Sequence, residues 1–175
     1  LLPLCSAAQE LYVFTEPASN MPTGSTGIRV TNTLAKQKFE PGYNYHLLPE
    51  LMIGVSKNLM LHADAYLSNR VNGFNAEGFG VYGKYRFLSN DAVHSHYRMA
   101  AFGRVSYNTS DIHQQEIEIN GHNSGFETGI IATQLLHKVA LSSTVSYEQA
   151  MHNNGNKFPA DQSTNAINYS FSFGK

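Results

Sequence analysis

Charged side chains and histidines occupy alternate positions of several predicted strands, so they would share one face of a sheet. Groups of mixed charge form a paired network inside a narrow cylindrical sheet, and they line a water-filled pore in a wider one. A cylinder of eight strands leaves room only for side chains, so eight strands favour the network and additional strands favour the pore. The residues predicted to face this interior are Arg29, His46, Glu50, His62, Asp64, Lys84, Arg86, Arg98, Arg104, Glu127 and Glu148.

Histidines suggest a second kind of chemistry, because imidazole nitrogens bind zinc or copper where several ligands converge. His94 and His96 flank a single serine, and on a strand they would share a face and could chelate a metal. In a turn, the same two side chains would simply be solvated, which is the commoner state. We retain His94 and His96 as the metal candidates, and we expect no cofactor.

Two broad functional classes are disfavoured. The chain has 12 basic and 13 acidic residues and a net charge of -1, so it lacks the positive field that gathers nucleic acid. It also has no Gly-x-Ser-x-Gly elbow or comparable setting for a nucleophile. We therefore expect neither a nucleic-acid partner nor catalytic residues, and predict that the chain is not an enzyme.

The composition points to strands in an apolar setting. Charged residues make up only 14% of the chain, against about 25% in an average soluble domain. The chain also contains 10 Phe and 10 Tyr. After residue 10 no apolar run is long enough for a membrane-spanning helix, so any membrane span must be built from strands.

Alternation of apolar and polar residues predicts about eight strands. It is clearest between Gly78 and Phe87, where Phe79, Val81 and Tyr85 share one face. The pattern from Tyr97 to Asn108 is equally regular except at Phe102, and Pro49 suggests a bulge in another strand. The predicted strands are Gly27–Leu34, Tyr43–Ser56, Leu59–Ser68, Gly78–Phe87, Tyr97–Asn108, Gly125–Leu136, Val139–Gln149 and Asn165–Phe173.

The connections between these strands alternate in length. Residues 56–58 and 137–138 are predicted tight turns, and 89–96 is a connection of middling length. The stretches 35–42, 69–77, 109–124 and 151–164 are longer and polar. Short periplasmic turns alternating with long extracellular loops are typical of outer-membrane barrels, so the pattern predicts an all-β, antiparallel, up-and-down transmembrane β-barrel.

The first residues have a different character. Residues 1–8 resemble the end of a secretory signal peptide, with an apolar stretch followed by small residues, and we expect cleavage after Ala8. Cys5, the one cysteine, lies in this segment, and Leu4 before it disfavours a lipoprotein signal. Residues 9–175 would then form part of one barrel domain.

Two segments resemble known outer-membrane proteins. Residues Ile53 to Leu61, a strand, a polar turn and a returning strand, resemble the periplasmic hairpins of porin-like proteins. Residues Glu10 to Pro22, followed by Thr26 to Val30, are similar to outer-membrane β-barrel proteins of the Bacteroidetes type. The resemblance implies a Gram-negative outer-membrane location, a lipid bilayer as partner and no family catalytic residues.

The chain departs from complete outer-membrane barrels in two respects. It has no Trp, although aromatic girdles often contain it, and it ends at Phe171-Ser172-Phe173-Gly174-Lys175 rather than on a C-terminal aromatic residue. We therefore expect further strands beyond Lys175.

Three functions follow as hypotheses. The first is a porin-like channel or transporter for small solutes, or a structural barrel if the interior is filled. The second is a secreted or periplasmic soluble β-barrel that binds a small ligand, since sheets with one buried face alternate in the same way. The third is a surface barrel that binds metal or a partner through its loops. Tyrosines that tend towards strand ends favour the membrane alternative; they are Tyr43, Tyr45, Tyr82, Tyr97, Tyr107 and Tyr147.

Overall fold

The computed structural model describes residues 17–36, 43–69, 73–93, 95–112, 117–136, 139–155, 157–158, 160 and 162–174. The predicted signal peptide remnant, Cys5 and His94 lie outside the described residues. Within them the regular structure consists of strands, without a helix. The strands are β1 (Thr26–Lys36), β2 (Tyr43–Gly54), β3 (Leu59–Ser68), β4 (Asn75–Ala92), β5 (Ser95–Asn108), β6 (Gly125–Leu136), β7 (Val139–Ala150) and β8 (Asn165–Gly174).

The eight strands form one antiparallel sheet in sequence order, which confirms the predicted all-β, up-and-down class. Each strand pairs with the strand before it and the strand after it, from β1–β2 to β7–β8. The sheet curls into a half-barrel, and no pairing joins β1 to β8 in the described part of the chain. We call the end that carries the turn at 55–58 and the tip of the β4–β5 hairpin the turn end, and the end that carries 109–112, 117–124 and 151–155 the loop end.

The predicted strands match the observed ones closely, with differences at their ends. The connection predicted over 89–96 is wrong, because β4 runs to Ala92 and β5 begins at Ser95, with Asp91 opposite His96. These residues are polar, so the apolar alternation stops although the backbone pairing continues. The bulge predicted at Pro49 is also wrong: β2 keeps the same register on both sides of it. The register shifts lie instead at Tyr66/Leu67 in the β3–β4 pairing and at Arg86/Leu88 in the β4–β5 pairing.

The two faces of the sheet differ in exposure. Along β3, Met60, His62, Asp64, Tyr66 and Ser68 are buried, while the residues between them are exposed or half-buried. The buried set faces the concave side of the curled sheet, where a cleft of about 1310 Å³ lies. All eight strands contribute to its lining, with Thr31, Glu50, Asp64, Tyr82, Arg104, Glu127, Ser146 and Asn168 in strand order.

Candidate functional site

Three ionisable side chains, of Arg29, Glu50 and His62, meet at the β1–β2 side of the concave face. Arg29 lies directly opposite Glu50, and its Nε donates to Glu50 Oε2 at 2.6 Å. The other carboxylate oxygen of Glu50 bonds to Nδ1 of His62, which is buried on β3. Both oxygens of this buried carboxylate are therefore satisfied, one by a guanidinium and one by an imidazole.

The carboxylate of Asp64 lacks the partners that the carboxylate of Glu50 has. The β2–β3 register places it directly opposite Glu50, so two carboxylates face each other across the strands. The residue is only 6% exposed, and neither of its carboxylate oxygens has a hydrogen-bond partner among the described residues. An unpartnered buried carboxylate is costly, so Asp64 is a feature that packing does not explain.

A second charged group lies at the centre of the sheet. The guanidinium carbon of Arg104 lies 5.1 Å from the ring centre of Tyr82, within the range of a cation–π contact. Arg104 also reaches Glu127, at 3.4 Å between Nη1 and Oε2. Glu127 lies directly opposite Glu148 in the β6–β7 pairing, which makes a second pair of facing carboxylates. Arg29 and Arg104 are thus outnumbered by four carboxylates across the middle of the concave face.

Tyr82 connects these two groups. Its ring centre lies 4.7 Å from that of His62 and 5.5 Å from that of Phe102. A continuous row of contacts therefore crosses the concave face from Arg29 on β1 to Glu127 on β6. Tyr82 is only 3% exposed, so the prediction that it belongs to an aromatic belt at a strand end is wrong.

The remaining predicted interior residues lie nearer the turn end. Lys84 is fully buried, and its ammonium donates to the backbone carbonyls of Pro17 and Ser19. Arg86 donates to the carbonyl of Lys57 at 2.7 Å, so it holds the turn at 55–58 and is not part of the cleft lining. Arg98 lines the cleft and donates to the hydroxyl of Ser19 and to Asp91.

Residues 17–24, here named the strap, were assigned no role from the sequence. They cross the concave side at the turn end, and Pro17, Ser19, Asn20 and Met21 line the cleft. The strap also accounts for Phe102, the misfit of the β5 pattern. Phe102 is on the concave face because it packs with Ala18 in one buried apolar cluster, together with Tyr82, Ala100 and Ile131.

At the loop end, a network of short polar side chains links the described loop residues to one another. Asn153 is fully buried; its carbonyl oxygen accepts from the backbone of Ser124, and its amide donates to the carbonyl of Ser110. Ser124 in turn bonds to the backbone of Asn108 in both directions. Ile119 and Phe158 are buried beneath this network with Ala150. The described parts of these connections, such as 117–124 and 151–155, are therefore packed, which their polar composition did not reveal.

Residues 121–122 of the loop end also contact β2. The His122 ring lies 4.9 Å from that of His46, a predicted interior residue that is buried. Gly121 has a φ of +85, a conformation that favours glycine, and a Cβ there would lie 2.8 Å from a side-chain carbon of Leu48. Strap residues therefore line the cleft at one end, and Glu118 and Asn120 line it at the other.

Metal ligands do not converge in the part of the chain that the structure describes, which contains no group of three or more His, Cys, Asp or Glu side chains suited to a metal ion. His96 Nδ1 lies 2.8 Å from Asp91 Oδ1, at the tip of the β4–β5 hairpin. His94 lies outside the described residues, so the proposed pairing of the two histidines stays a prediction.

The hairpin tip has its own electrostatics. The hydrogen bond with His96, together with bonds from Ser89 and Arg98, lowers the pKa of Asp91 to about 2. Residues 89–92 are all exposed, and they lie beyond the apolar part of the outer face, which ends on β4 at Phe87 and Leu88. His96 and Arg98 also line the cleft, so this group lies at the cleft's rim at the turn end.

Comparison with known proteins adds no identification. No family model matches the chain, and searches of curated proteins and of solved structures found no significant match. No helix in the described residues is long and apolar enough to cross a membrane. The resemblance to outer-membrane proteins thus stays a prediction from the residues that carry it.

Proposed function

We propose that this chain is an integral β-barrel protein of a bacterial outer membrane, with lipid against its outer face and small polar solutes as the molecules its interior admits. One observation carries the proposal. Apolar side chains cover the outer face and are exposed, among them Ile28, Val81, Val105, Val145 and Phe171. Charged side chains lie on the opposite, concave face, which is the polarity expected of a barrel in lipid.

A soluble ligand-binding barrel would have the reverse arrangement. In such a protein, the apolar face of each strand packs into the core and the polar face meets water. Here Asp64, Lys84 and Glu148 are buried, whereas Val105 is 64% exposed and Tyr169 is 86% exposed. The described residues place no second layer over the outer face. An apolar surface of this extent marks contact with a membrane or a partner.

Aromatic rings on the outer face favour the membrane. Near the loop end, rings pair across neighbouring strands: Phe79 lies 6.0 Å from Tyr107, and Phe126 lies 6.3 Å from Tyr147. Towards the turn end of β4, Phe87 is exposed on the same surface. Phe79 and Phe87 are roughly 26 Å apart along the strand, at about 3.3 Å per residue. This separation suits an apolar band flanked by aromatic girdles.

The two sheet edges set a condition on the proposal. Hydrocarbon offers no hydrogen-bond partner to a backbone amide or carbonyl, so open edges are not tolerated within a bilayer. The proposal therefore requires β1 and β8 to pair in the membrane, either with each other or with additional strands.

The cleft indicates which solutes would be favoured. Carboxylates lining a passage favour cations over anions. The carboxylates of Glu50, Asp64, Glu118 and Glu127 line the cleft together with the guanidinium groups of Arg29, Arg98 and Arg104, so small cationic or neutral polar solutes suit this interior slightly better than anions do.

The test is to express the full-length protein with its native signal and to isolate outer membranes. Unheated and boiled samples are then compared on detergent gels. The proposal predicts a band in the outer-membrane fraction whose migration changes on boiling, as expected of a closed barrel that resists the detergent. A soluble periplasmic or secreted product would contradict it and would favour the ligand-binding alternative.

A further inference from the structure

Lys84 is an unusual residue for the interior of a sheet, because a fully buried ammonium needs hydrogen-bond acceptors. Its Nζ donates to the carbonyl of Pro17 at 2.7 Å and to that of Ser19 at 2.9 Å. Both acceptors belong to the backbone of the strap. A single lysine on β4 therefore binds two peptide groups of the strap, independently of the strap's side chains.

Ala18, between those two carbonyls, fixes the strap against the other side of the cleft. Its amide donates to Thr133 Oγ1 at 3.0 Å, and its methyl group is fully buried in the cluster that contains Phe102 and Ile131. Arg98 adds a bond from its guanidinium to the hydroxyl of Ser19 at 2.9 Å. The strap thus contacts β4, β5 and β6 at once.

At its other end, the strap lies against β2. A Cβ at Gly54 would lie 2.2 Å from the carbonyl oxygen of Pro22, so the strap can pass there only over a glycine. Gly24 has a φ of +77 and lets the chain reverse from the strap into β1, with its amide bonded to the carbonyl of Gly54 at 2.7 Å. The strap therefore spans the concave side from β4–β6 to β2.

These contacts are few and mostly polar. Among the described residues of the strap, Ala18 belongs to the buried apolar cluster, and hydrogen bonds supply most of the other attachments, beside the packing of Pro22 on Gly54 and of Met21 near Gly27. Each such bond contributes on the order of 1 kcal/mol net, or up to about 3 where one partner is charged. A segment held in this way can leave its site while the sheet stays folded.

We infer that the strap is a gate: it closes the turn end of the interior, Lys84 is the main residue that holds it, and solutes pass when it is displaced. The inference rests on the proposed membrane function. It assigns to Pro17–Gly24 a role in controlling passage that neither the composition of the segment nor the predicted pore-lining residues implied.

The experiment is a conductance measurement on the full-length protein in planar lipid bilayers bathed in potassium chloride. Lys84→Met removes the ammonium at nearly constant side-chain volume. Gly54→Ala displaces the strap through a different contact, at Pro22. Lys57→Met is the matched control, because Lys57 is an exposed lysine of the turn at 55–58. Heat-modifiable migration of each variant shows that its barrel has formed.

We expect Lys84→Met and Gly54→Ala to raise the mean conductance at least about threefold, and Lys57→Met to leave it unchanged. A locked form provides a second measurement. Ala18→Cys with Thr133→Cys, in a protein with Cys5→Ser, should form a disulfide that keeps the conductance low until dithiothreitol is added.

Three outcomes would overturn the gate. The first is equal conductance in the wild type and all variants, and the second is no conductance in inserted Lys84→Met and Gly54→Ala proteins. The third is a cross-linked protein whose conductance does not change when dithiothreitol is added. Failure of the wild type to insert in any membrane would instead contradict the proposed membrane function. The two failures are therefore distinguishable.

Discussion

The two faces of the eight-stranded sheet differ from each other in exposure and in polarity. On β4, Val81 and Tyr85 are exposed, whereas Tyr82 and Lys84, their neighbours in sequence, are buried. The exposed face is apolar, and the buried face carries ion pairs, facing carboxylates and a fully buried lysine. Burial of a side chain in this sheet therefore depends on whether it lies on the side that curls around the cleft and the strap, and not on its hydrophobicity.

Charge placed on the outer face should have the largest effect. Val81→Arg puts a guanidinium near the middle of the apolar part of β4, which should cost about 2–4 kcal/mol if that part lies at the bilayer midplane. Asn90→Arg is the control, on the same strand but in its exposed tip beyond the apolar part, where about 0–1 kcal/mol is expected. The free energy of unfolding in lipid vesicles, measured with urea, compares them. An equal loss of unfolding free energy in both variants would contradict the assignment of Val81 to the lipid-facing band and of Asn90 to the hairpin tip outside it.

On the concave face, the two facing carboxylates Glu50 and Asp64 should respond in opposite ways. Glu50→Gln weakens the bonds to Arg29 and His62, and should lower the free energy of unfolding by about 1.5–3 kcal/mol. Asp64→Asn removes an unpartnered buried charge opposite Glu50, so it should leave stability unchanged or raise it. The same urea titration measures both. A large loss for Asp64→Asn would show that its carboxylate has a stabilising partner.

The packing of the loop end should have a smaller effect. Asn153→Ala leaves the amide of Ser124 and the carbonyl of Ser110 without their partner, and should cost about 1–3 kcal/mol. It should also increase cleavage within 109–124 by added protease. Asn90→Ala, an exposed asparagine at the opposite end, is the control. Unchanged protease resistance in Asn153→Ala would mean that the network is not what holds these loops.

The hairpin tip should give the smallest effect, because Asp91 is fully exposed. Its pKa is lowered from an ordinary 3.8 to about 2, so its favourable contacts with His96, Ser89 and Arg98 are present above pH 3.8 and are lost as the pH falls towards 2. Arg98→Gln removes one of these contacts and should move the pKa upwards. Nuclear magnetic resonance titration of the Asp91 carboxyl measures this. An unchanged value would assign the shift to His96 and Ser89 alone.

Much of the sheet could be predicted because alternation is a local signal. The bounds of β3 and β6 match the prediction, and those of β7 and β8 differ by one residue. The hairpin tip at 89–96 could not be found in this way, because its residues are mostly polar and those at 89–92 are all exposed, so neither face of the strand is marked by apolar residues. Alternation also indicated that Glu50, Asp64 and Arg104 share a face, and all three line the cleft, but it did not indicate their partners.

The strap and the loop-end network show what alternation cannot reveal. Lys84 bonds to backbone carbonyls more than sixty residues away in the chain, and Asn153 bonds to Ser110. Such contacts depend on which segments the curled sheet brings together, and no local pattern encodes them. The sequence feature that could have indicated the strap is Phe102, because an aromatic residue on an otherwise polar face indicates an apolar partner on that side.

The most direct test of the lipid-facing outer surface uses the absence of Trp from the chain. A single Trp is introduced by Val105→Trp on the outer face or by Phe102→Trp on the concave face, and each protein is reconstituted in vesicles with brominated acyl chains. We expect strong fluorescence quenching by bromine in the Val105→Trp protein and little in the Phe102→Trp protein. Equal quenching of the two, or quenching of the concave position alone, would contradict the assignment of the outer face to lipid.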